Sequence, residues 1–433
     1  MRKQLEKYLG ACVKRTLGRD KPRVLAIAGS VGKTSARYAL SVAMSRPNQE
    51  ETYRSSRKNF NNELGVPLSV FACDMPGKSV AKWLEVLWVA TAHAIGLKKI
   101  KVKWLILEIA ADHPGDLDYL LDMLKPNVAI MTSMGAEHTE YFGTVDAAID
   151  EERKVLLALP EDGEALLNTD DESTWNSRHL TKAEVIGFGK SSSAAVRIKN
   201  VQTVYDPQNP ESAGLDIEFE ILRNHVKTIR LRGVYGEAHA YAVAASLAFL
   251  LSLDQGLEAA MDYIQDNYVG MPGRTRIVPG IKGTALLDDS YNAQPQAMAS
   301  ALRDLARFPV TPAGRRIAVL GDMLELGSLT ESEHEAVGKM AAETGVDILV
   351  TCGKYGKLIG EAAAKAGMPN EKVFMFDASS DAGLFLQQEI IKPGDALLIK
   401  GSQGSRMEKI TKELMAEPLR APELLVRQSQ EWL

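Results

Sequence analysis

Apolar residues in the first half of this chain recur as short unbroken runs rather than as alternations. Residues 24–28 (VLAIA), 103–109 (KWLILEI) and 127–132 (NVAIMT) are such runs, and shorter ones lie at 165–167 and 185–188. A strand buried on both faces needs apolar side chains on both, so continuous runs predict a parallel sheet covered by helices. Helix-period segments lie between them, as at 36–44. Residues 215–231 differ: two alternating runs flank Arg223-Asn224-His225, which predicts an antiparallel hairpin. An Ala-rich packed helix is expected at 238–253. Beyond Met271-Pro272-Gly273-Arg274 a second series starts, with strands expected at 285–287, 316–320, 347–351, 373–376 and 396–399 and helices such as 332–344 between them. The reading is α/β throughout, with two domains, 1–273 (opening on a short helical extension, 1–22) and 274–433.

Composition narrows this picture more than it extends it. The 433 residues suffice for two or three domains, and a net charge of −5 gives no bias toward nucleic acid. Cys12, Cys73 and Cys352 are scattered, which fits a reducing, cytoplasmic setting and argues against a disulfide frame or a structural zinc site. The basic N-terminus lacks the apolar core of a signal peptide. Residues 80–97 are rich in Trp, Leu, Val and Ala but carry Lys82, Glu85 and His93, and are short of the ~20 residues of a membrane span. They read as a mostly buried helix rather than a membrane contact; the alternative is an interfacial helix using Trp83 and Trp88.

Chemistry enters at Gly29-Ser30-Val31-Gly32-Lys33-Thr34-Ser35, between the first apolar run and the first helix. A strand, a glycine-bearing turn and Gly-Lys-Thr opening a helix form a phosphate cradle. Backbone N–H groups and the helix N-terminus face the anion, Lys33 adds a point charge, and the Thr34 hydroxyl suits Mg2+. The eight-residue Walker spacing fails, because Ile27 stands where its first glycine belongs, and the loop does not distinguish ATP from GTP. Glu108 ends the second strand at the carboxyl edge where such sheets bind ligands, and a carboxylate there suits Mg2+; the plainer alternative is a solvated strand end. His138 follows the third strand on the same edge, as a ligand or a structural histidine. Asn59, Asn61 and Asn62 offer neutral amides to substrate oxygens, or serve only the turn.

The second domain has no GxGxxG turn, which argues against a dinucleotide site. Its polar clusters follow expected strands: Asp288-Asp289-Ser290-Tyr291-Asn292, Gly321-Asp322-Met323-Leu324-Glu325, and Lys400-Gly401-Ser402. They suggest a binding face rather than three ordinary loops. The whole is therefore a P-loop central ATPase domain with a mostly parallel sheet, plus a smaller Rossmann-like C-terminal α/β domain.

Eight motifs in order, GSVGKTS, NFNNELGVPL, LEIAADHPGDLDYL, the His138 segment, PGRTR, DDSYNAQP, GDMLELG and KGS, resemble the Mur ligase family. These are ATP-dependent amide-forming ligases of peptidoglycan synthesis. The nearest likeness is to the branch that adds D-alanyl-D-alanine to a UDP-muramyl tripeptide. The resemblance implies ATP and Mg2+ as cofactors and a reaction in which a substrate carboxylate takes the γ-phosphate and an amine then displaces phosphate. It implies that Lys33 holds the β/γ-phosphates and that Thr34, Glu108 and His138 serve the metals. Asn292 would contact the adenine side of ATP, Arg274 would lie near the phosphates or the hinge, and the C-terminal domain would bring in the amine and close over the site. Asn59, Asn61, Asn62, Asp289, Glu325, Lys400 and Ser402 are the candidate substrate contacts.

Three departures from the family pattern stand out. Where it carries a carbamylated lysine, counting places Glu152, a ready-made carboxylate for the metal side; Lys154 in a shifted register is the competitor. The family's His-Asn pair reads His239-Ala240. Only ~22 residues precede the first strand, below the ~50 of an independent domain, so the usual UDP-binding domain is expected to be missing. That leaves a ligase of a non-UDP peptide or amino-acid polymer as the alternative within the family. Outside it stand a nucleotide-binding regulatory protein with a degenerate site and a small-molecule kinase. The expected partners are a carboxylate substrate and an amino-acid or dipeptide amine, with no nucleic acid.

Overall fold

The computed structural model describes residues 2–47, 52–56, 60–135, 139–429 and 432. The chain divides into two compact units. The first contains Met1–Lys199, Phe219–Lys227 and Tyr241–Ile264; the second contains Asn200–Glu218, Thr228–Ala240 and Gln265–Leu433.

The first unit opens on helix α1 (Arg2–Asp20), strand β1 (Arg23–Ala28) and helix α2 (Lys33–Met44). Strand β2 (Tyr53–Ser55), helices α3 (Gly65–Phe71) and α4 (Val80–Ala94), and strand β3 (Trp104–Glu108) follow. Then come α5 (Asp116–Leu124), β4 (Val128–Met131), α6 (Thr139–Phe142), α7 (Val145–Leu157), β5 (Glu164–Asn168), α8 (Glu172–Asn176) and β6 (Glu184–Gly189). Strands β7 (Val196–Val204), β8 (Gly214–Ile221) and β9 (His225–Arg232) complete a nine-stranded sheet of order β2-β3-β1-β4-β5-β6-β7-β8-β9. Pairing from β2 to β7 is parallel. Strands β3 and β4 are buried at every position, as the unbroken runs require. Strand β8 alternates buried and half-buried residues, as the hairpin pattern requires. Its turn places Leu222 and Arg223 at positive φ.

Helices α9 (Glu237–Ser252) and α10 (Leu257–Asn267) lead to the second sheet. Its elements are β10 (Arg276–Pro279), β11 (Ala285–Asp289), α11 (Pro295–Arg307), β12 (Arg316–Leu320), α12 (Thr330–Glu343), β13 (Ile348–Cys352), α13 (Gly356–Lys365) and β14 (Val373–Phe376). Helix α14 (Ser379–Phe385), strand β15 (Ala396–Lys400) and helices α15 (Glu408–Leu414) and α16 (Ala421–Leu424) follow. The strand order is β10-β11-β15-β12-β13-β14, parallel except for β10. Apolar clusters lie on both sides, one around Leu287, Leu302 and Leu349, the other around Leu286, Val350 and Ile410. This is the doubly wound arrangement that the second run of strands predicted.

Strands β2, β7 and β10 had no counterpart in the sequence reading. Strand β2 is three half-buried residues at the sheet edge, and β10 is an antiparallel edge strand ending on Pro279. Such short edges bury too little to print an apolar pattern. The expectation of a mostly buried helix over 80–97 also needs correction. Helix α4 is capped by Ser79 and buries Val86, Ala90, Ala92, His93 and Ala94. Its other side leaves Val80, Leu84 and Trp88 at 73, 62 and 59% exposure. Trp83 is half-buried and donates through Nε1 to the Gly77 carbonyl at 3.1 Å. Among the described residues, no helix is long and apolar enough to cross a membrane.

Candidate active site

The loop between β1 and α2 is shaped by its neighbour after β4. Gly29 and Gly32 take φ of 122° and 95°. A Cβ on Gly29 would lie 2.4 Å from Thr132 Oγ1 and 2.7 Å from the Ser133 carbonyl, so only glycine fits there. Ser30 N donates to Ser133 O at 2.6 Å, Val31 N to Ser133 Oγ at 3.3 Å, and Gly135 N to Ser30 Oγ at 2.8 Å. The β4 loop is itself anchored: Asn168 Nδ2 donates to Thr132 O at 2.7 Å, and Met134 N to Asp171 Oδ1 at 3.2 Å. Ser35 continues α2 behind Lys33 and Thr34.

Lys33 is buried, and its ammonium turns back to the carbonyls of Gly29 and, at 3.2 Å, Ser30. The Thr34 hydroxyl donates to Glu108 Oε1 at 2.9 Å. Strands β1 and β3 are adjacent and parallel, with Ile27 paired to Glu108, so the end of β3 lies beside the start of the phosphate loop. Sequence reasoning missed Arg37. It lies one turn beyond Lys33 on α2, is buried, approaches Glu108 Oε2 with Nε at 3.4 Å, and donates to the Ser56 carbonyl. Its i+4 spacing from Lys33 was the available signal.

Glu152 is buried on α7, which packs against β1. Its neighbour Glu151 is also buried and accepts from Gly115 N and Leu117 N, both at 3.0 Å, holding the start of α5. Lys154 bridges Glu151 at 2.7 Å and Asp118 at 2.6 Å. Partial burial would lower the Lys154 pKa, but the hydrogen bonds it donates to those two carboxylates hold it above the ordinary lysine value. Asn62 Oδ1 accepts from Gly65 N at 3.0 Å, and the Asn61 carbonyl from Ala110 N at 3.0 Å. Asn62 thus serves the turn into α3. Asn59 and His138 lie outside the described residues.

In the second unit, Lys400 at the end of β15 is buried and reaches Asp289 Oδ2 at 2.6 Å and the Asn292 carbonyl at 3.0 Å. Thr275 N donates to Asp289 Oδ1 at 3.3 Å. Ser402 Oγ accepts from Leu324 N at 2.9 Å and donates to the Ala293 carbonyl at 3.3 Å. Three strand-end loops are therefore tied together, with Asn292 and Glu325 exposed beside them. The Arg274 guanidinium stacks on the Tyr291 ring at 4.1 Å. Beneath, burial pushes the Asp288 carboxyl up to about 6 and the His239 imidazole down to about 4. His239 is bracketed by the Tyr268 hydroxyl at 2.7 Å and Thr275 Oγ1 at 2.6 Å.

The fit to a nucleotide and Mg2+ rests on this geometry. The loop admits only glycine at its closest approach, a lysine sits within it, and hard oxygen donors from Thr34 and Glu108 meet behind it. Fold and site together define a phosphate-loop, nucleotide-binding α/β protein. Two family profiles match the chain, the Mur ligase middle domain over residues 90–248 and the Mur ligase glutamate ligase domain over residues 273–403. The UDP-N-acetylmuramoyl-tripeptide–D-alanyl-D-alanine ligase of Escherichia coli (strain K12) is 27% identical over 396 residues, 90% of this chain and 76% of that protein. The Bacillus subtilis (strain 168) enzyme of the same name is 25% identical over 397 residues, 92% and 77% respectively. MurF from Acinetobacter baumannii superposes with a TM-score of 0.73 at 25% identity, over 93% of this chain and 79% of that one. MurF ligase from Thermotoga maritima, solved in complex with ADP, gives 0.76 at 23% identity, over 94% and 83%. The chain belongs to the Mur ligase family, and it is an ATP- and Mg2+-dependent, amide-bond-forming ligase of the MurF-like kind.

Proposed function

We propose that this chain joins a D-alanyl-D-alanine dipeptide, through its amine, to the terminal carboxylate of a UDP-muramyl tripeptide, in the cytoplasm. The observation that carries the reading is the Thr34–Glu108 contact behind a loop that holds Lys33. Lys33 neutralises the β/γ-phosphates, and the backbone N–H groups of 29–35 orient them. Thr34 and Glu108 hold the metal, whose charge offsets that of the phosphates, and Arg37 orients the Glu108 carboxylate. His138 is the further candidate for the metal side.

Glu152 supplies a fixed carboxylate on the metal side. Lys154 is a poor competitor: carbamylation needs a neutral amine and would set a new anion beside Glu151 and Asp118. In the domain spanning 274–433, Lys400, held by Asp289, anchors the Asn292 backbone; Asn292 and Arg274 are its candidate nucleotide contacts. Glu325, Asn59 and Asn61 contact substrates, while the Ser402 hydroxyl and the Asn62 amide oxygen are committed to holding their own loops.

The test is release of ADP and phosphate with UDP-muramyl tripeptide or a nucleotide-free peptide as acceptor, each with and without D-alanyl-D-alanine. Steady turnover only with the UDP-linked acceptor and the dipeptide together is expected. Turnover with the free peptide alone would reassign the acceptor, and phosphorylation without an amine would make the chain a kinase.

A further inference from the structure

Helix α4 and the turn after it carry an apolar ridge that the ligase reading does not use. Val80, Leu84 and Trp88 recur at i, i+4 and i+8 on one side of the helix, and Ile95 and Leu97 continue it at 56 and 68% exposure. Isolated exposed apolar residues are ordinary, but five large ones along one helix and its following turn are not. The ridge is rigidly backed by α1: the Tyr8 hydroxyl meets Thr91 Oγ1 at 2.6 Å, and Arg19 donates to the carbonyls of His93 at 2.6 Å and Lys98 at 3.2 Å.

Charge decides what can cover it. Lys78, Lys82, Lys98, Lys99, Lys101 and Lys103 are all exposed on or beside the segment that carries the ridge, against Asp74 and Glu85 among residues 74–103, in a chain whose net charge is −5. The edge continues into a hollow of about 460 Å³ whose charged lining is Lys21, Arg23, Lys101 and Lys103 with one acid, Asp20. That hollow lies at the start of β1 and β3, the opposite sheet edge from the phosphate loop. A second copy of the chain is a poor occupant, because a twofold contact would set this cluster of lysines against itself.

We propose that this face is a peripheral docking surface for an anionic lipid bilayer. Trp88, Leu84 and Val80 enter the headgroup layer, and the lysines meet the lipid phosphates. An aromatic-aliphatic ridge flanked by lysines matches the physical requirements of an interfacial helix, which lies on a membrane without spanning it.

Co-sedimentation of the whole chain tests this, using vesicles of phosphatidylcholine alone and of phosphatidylcholine with phosphatidylglycerol. Binding is expected only to the phosphatidylglycerol vesicles, weakening as salt rises. The double variant L84Q/W88Q should bind about a hundredfold less tightly, about tenfold for each large side chain withdrawn from the interface. Both residues are exposed, so its thermal unfolding should match the parent. A blue shift of tryptophan emission on vesicle binding should shrink in Trp88→Phe. Failure to bind phosphatidylglycerol vesicles overturns the proposal, as does equal binding by parent and double variant. A dimer dissolved by the same substitutions, without vesicle binding, would assign the face to a second copy. An acidic protein that competes for the face while vesicles do not would assign it to that protein.

Discussion

Glu108 couples the stability of the first unit to its chemistry, and two substitutions separate those roles. The residue is 2% exposed and Arg37 6% exposed, so their charges face each other without solvent screening. Glu108→Ala strips the carboxylate from Arg37 and the acceptor from the Thr34 hydroxyl, leaving the buried guanidinium beside a void with its Ser56 carbonyl still bound. Breaking a buried pair this way costs about 3–5 kcal/mol. Glu108→Gln keeps an oxygen for Thr34 and fills the volume, so its cost should stay near 1–3 kcal/mol. Both remove the carboxylate proposed to hold the metal, and on that proposal both should lower kcat by about 10²–10³-fold. Denaturant midpoints and steady-state turnover read the two effects apart. Adding Arg37→Leu to Glu108→Ala removes the buried cation that has lost its carboxylate and should recover part of the lost stability, a non-additivity that a double-mutant cycle measures. Unchanged stability in Glu108→Ala, or strict additivity in the cycle, would refute the buried-pair reasoning. Full turnover in Glu108→Gln would remove Glu108 from the metal site.

Gly29→Ala should raise the KM for ATP and destabilise by about 2–6 kcal/mol, since the positive φ and the contact with Thr132 and Ser133 each cost about 1–3 kcal/mol; nucleotide titration and thermal unfolding check it. Glu152→Ala should cut kcat by about 10²-fold or more, while Lys154→Gln keeps most activity and added bicarbonate changes neither; a bicarbonate-dependent parent would favour Lys154. Buried groups of the second unit titrate in opposite senses. His239, lowered from 6.5 to about 4, withdraws on the order of 3 kcal/mol of stability as pH falls through that interval. Asp288, raised from 3.8 to about 6, and Asp304, raised from 3.8 to about 7, each withdraw a comparable amount as pH rises through their own intervals. Relative to the parent, denaturation across pH 4 to 6 should therefore lose stability less steeply toward neutral pH in Asp288→Asn and more steeply in His239→Gln.

Much of the scaffold was legible because its strands are buried on both faces. The run VLAIA became β1, KWLILEI became β3, and the alternation around Arg223-Asn224-His225 became the β8–β9 hairpin. Edge strands β2 and β10 escaped because they bury too little to leave a pattern. Helix α4 was misjudged because apolar content does not say which side of a helix finds a partner. Asn62 shows the same limit at the site: its amide binds the turn into α3 at 3.0 Å, a use that residue type alone could not separate from substrate contact.

By itself the sequence determined the phosphate loop, the order of the strands along the chain and the carboxylate at the end of the second apolar run. Those depend on local spacing and on which side chains tolerate burial. Tertiary structure alone decided that Thr34 and Glu108 share a hydrogen bond and that Arg37 joins them. It also decided that Lys154 is committed to Glu151 and Asp118, and that Lys400 ties Asp289 to the Asn292 backbone. Each of these joins residues on different elements, and only the pairing of parallel strands and the packing of helices on the sheet brings them within hydrogen-bond reach.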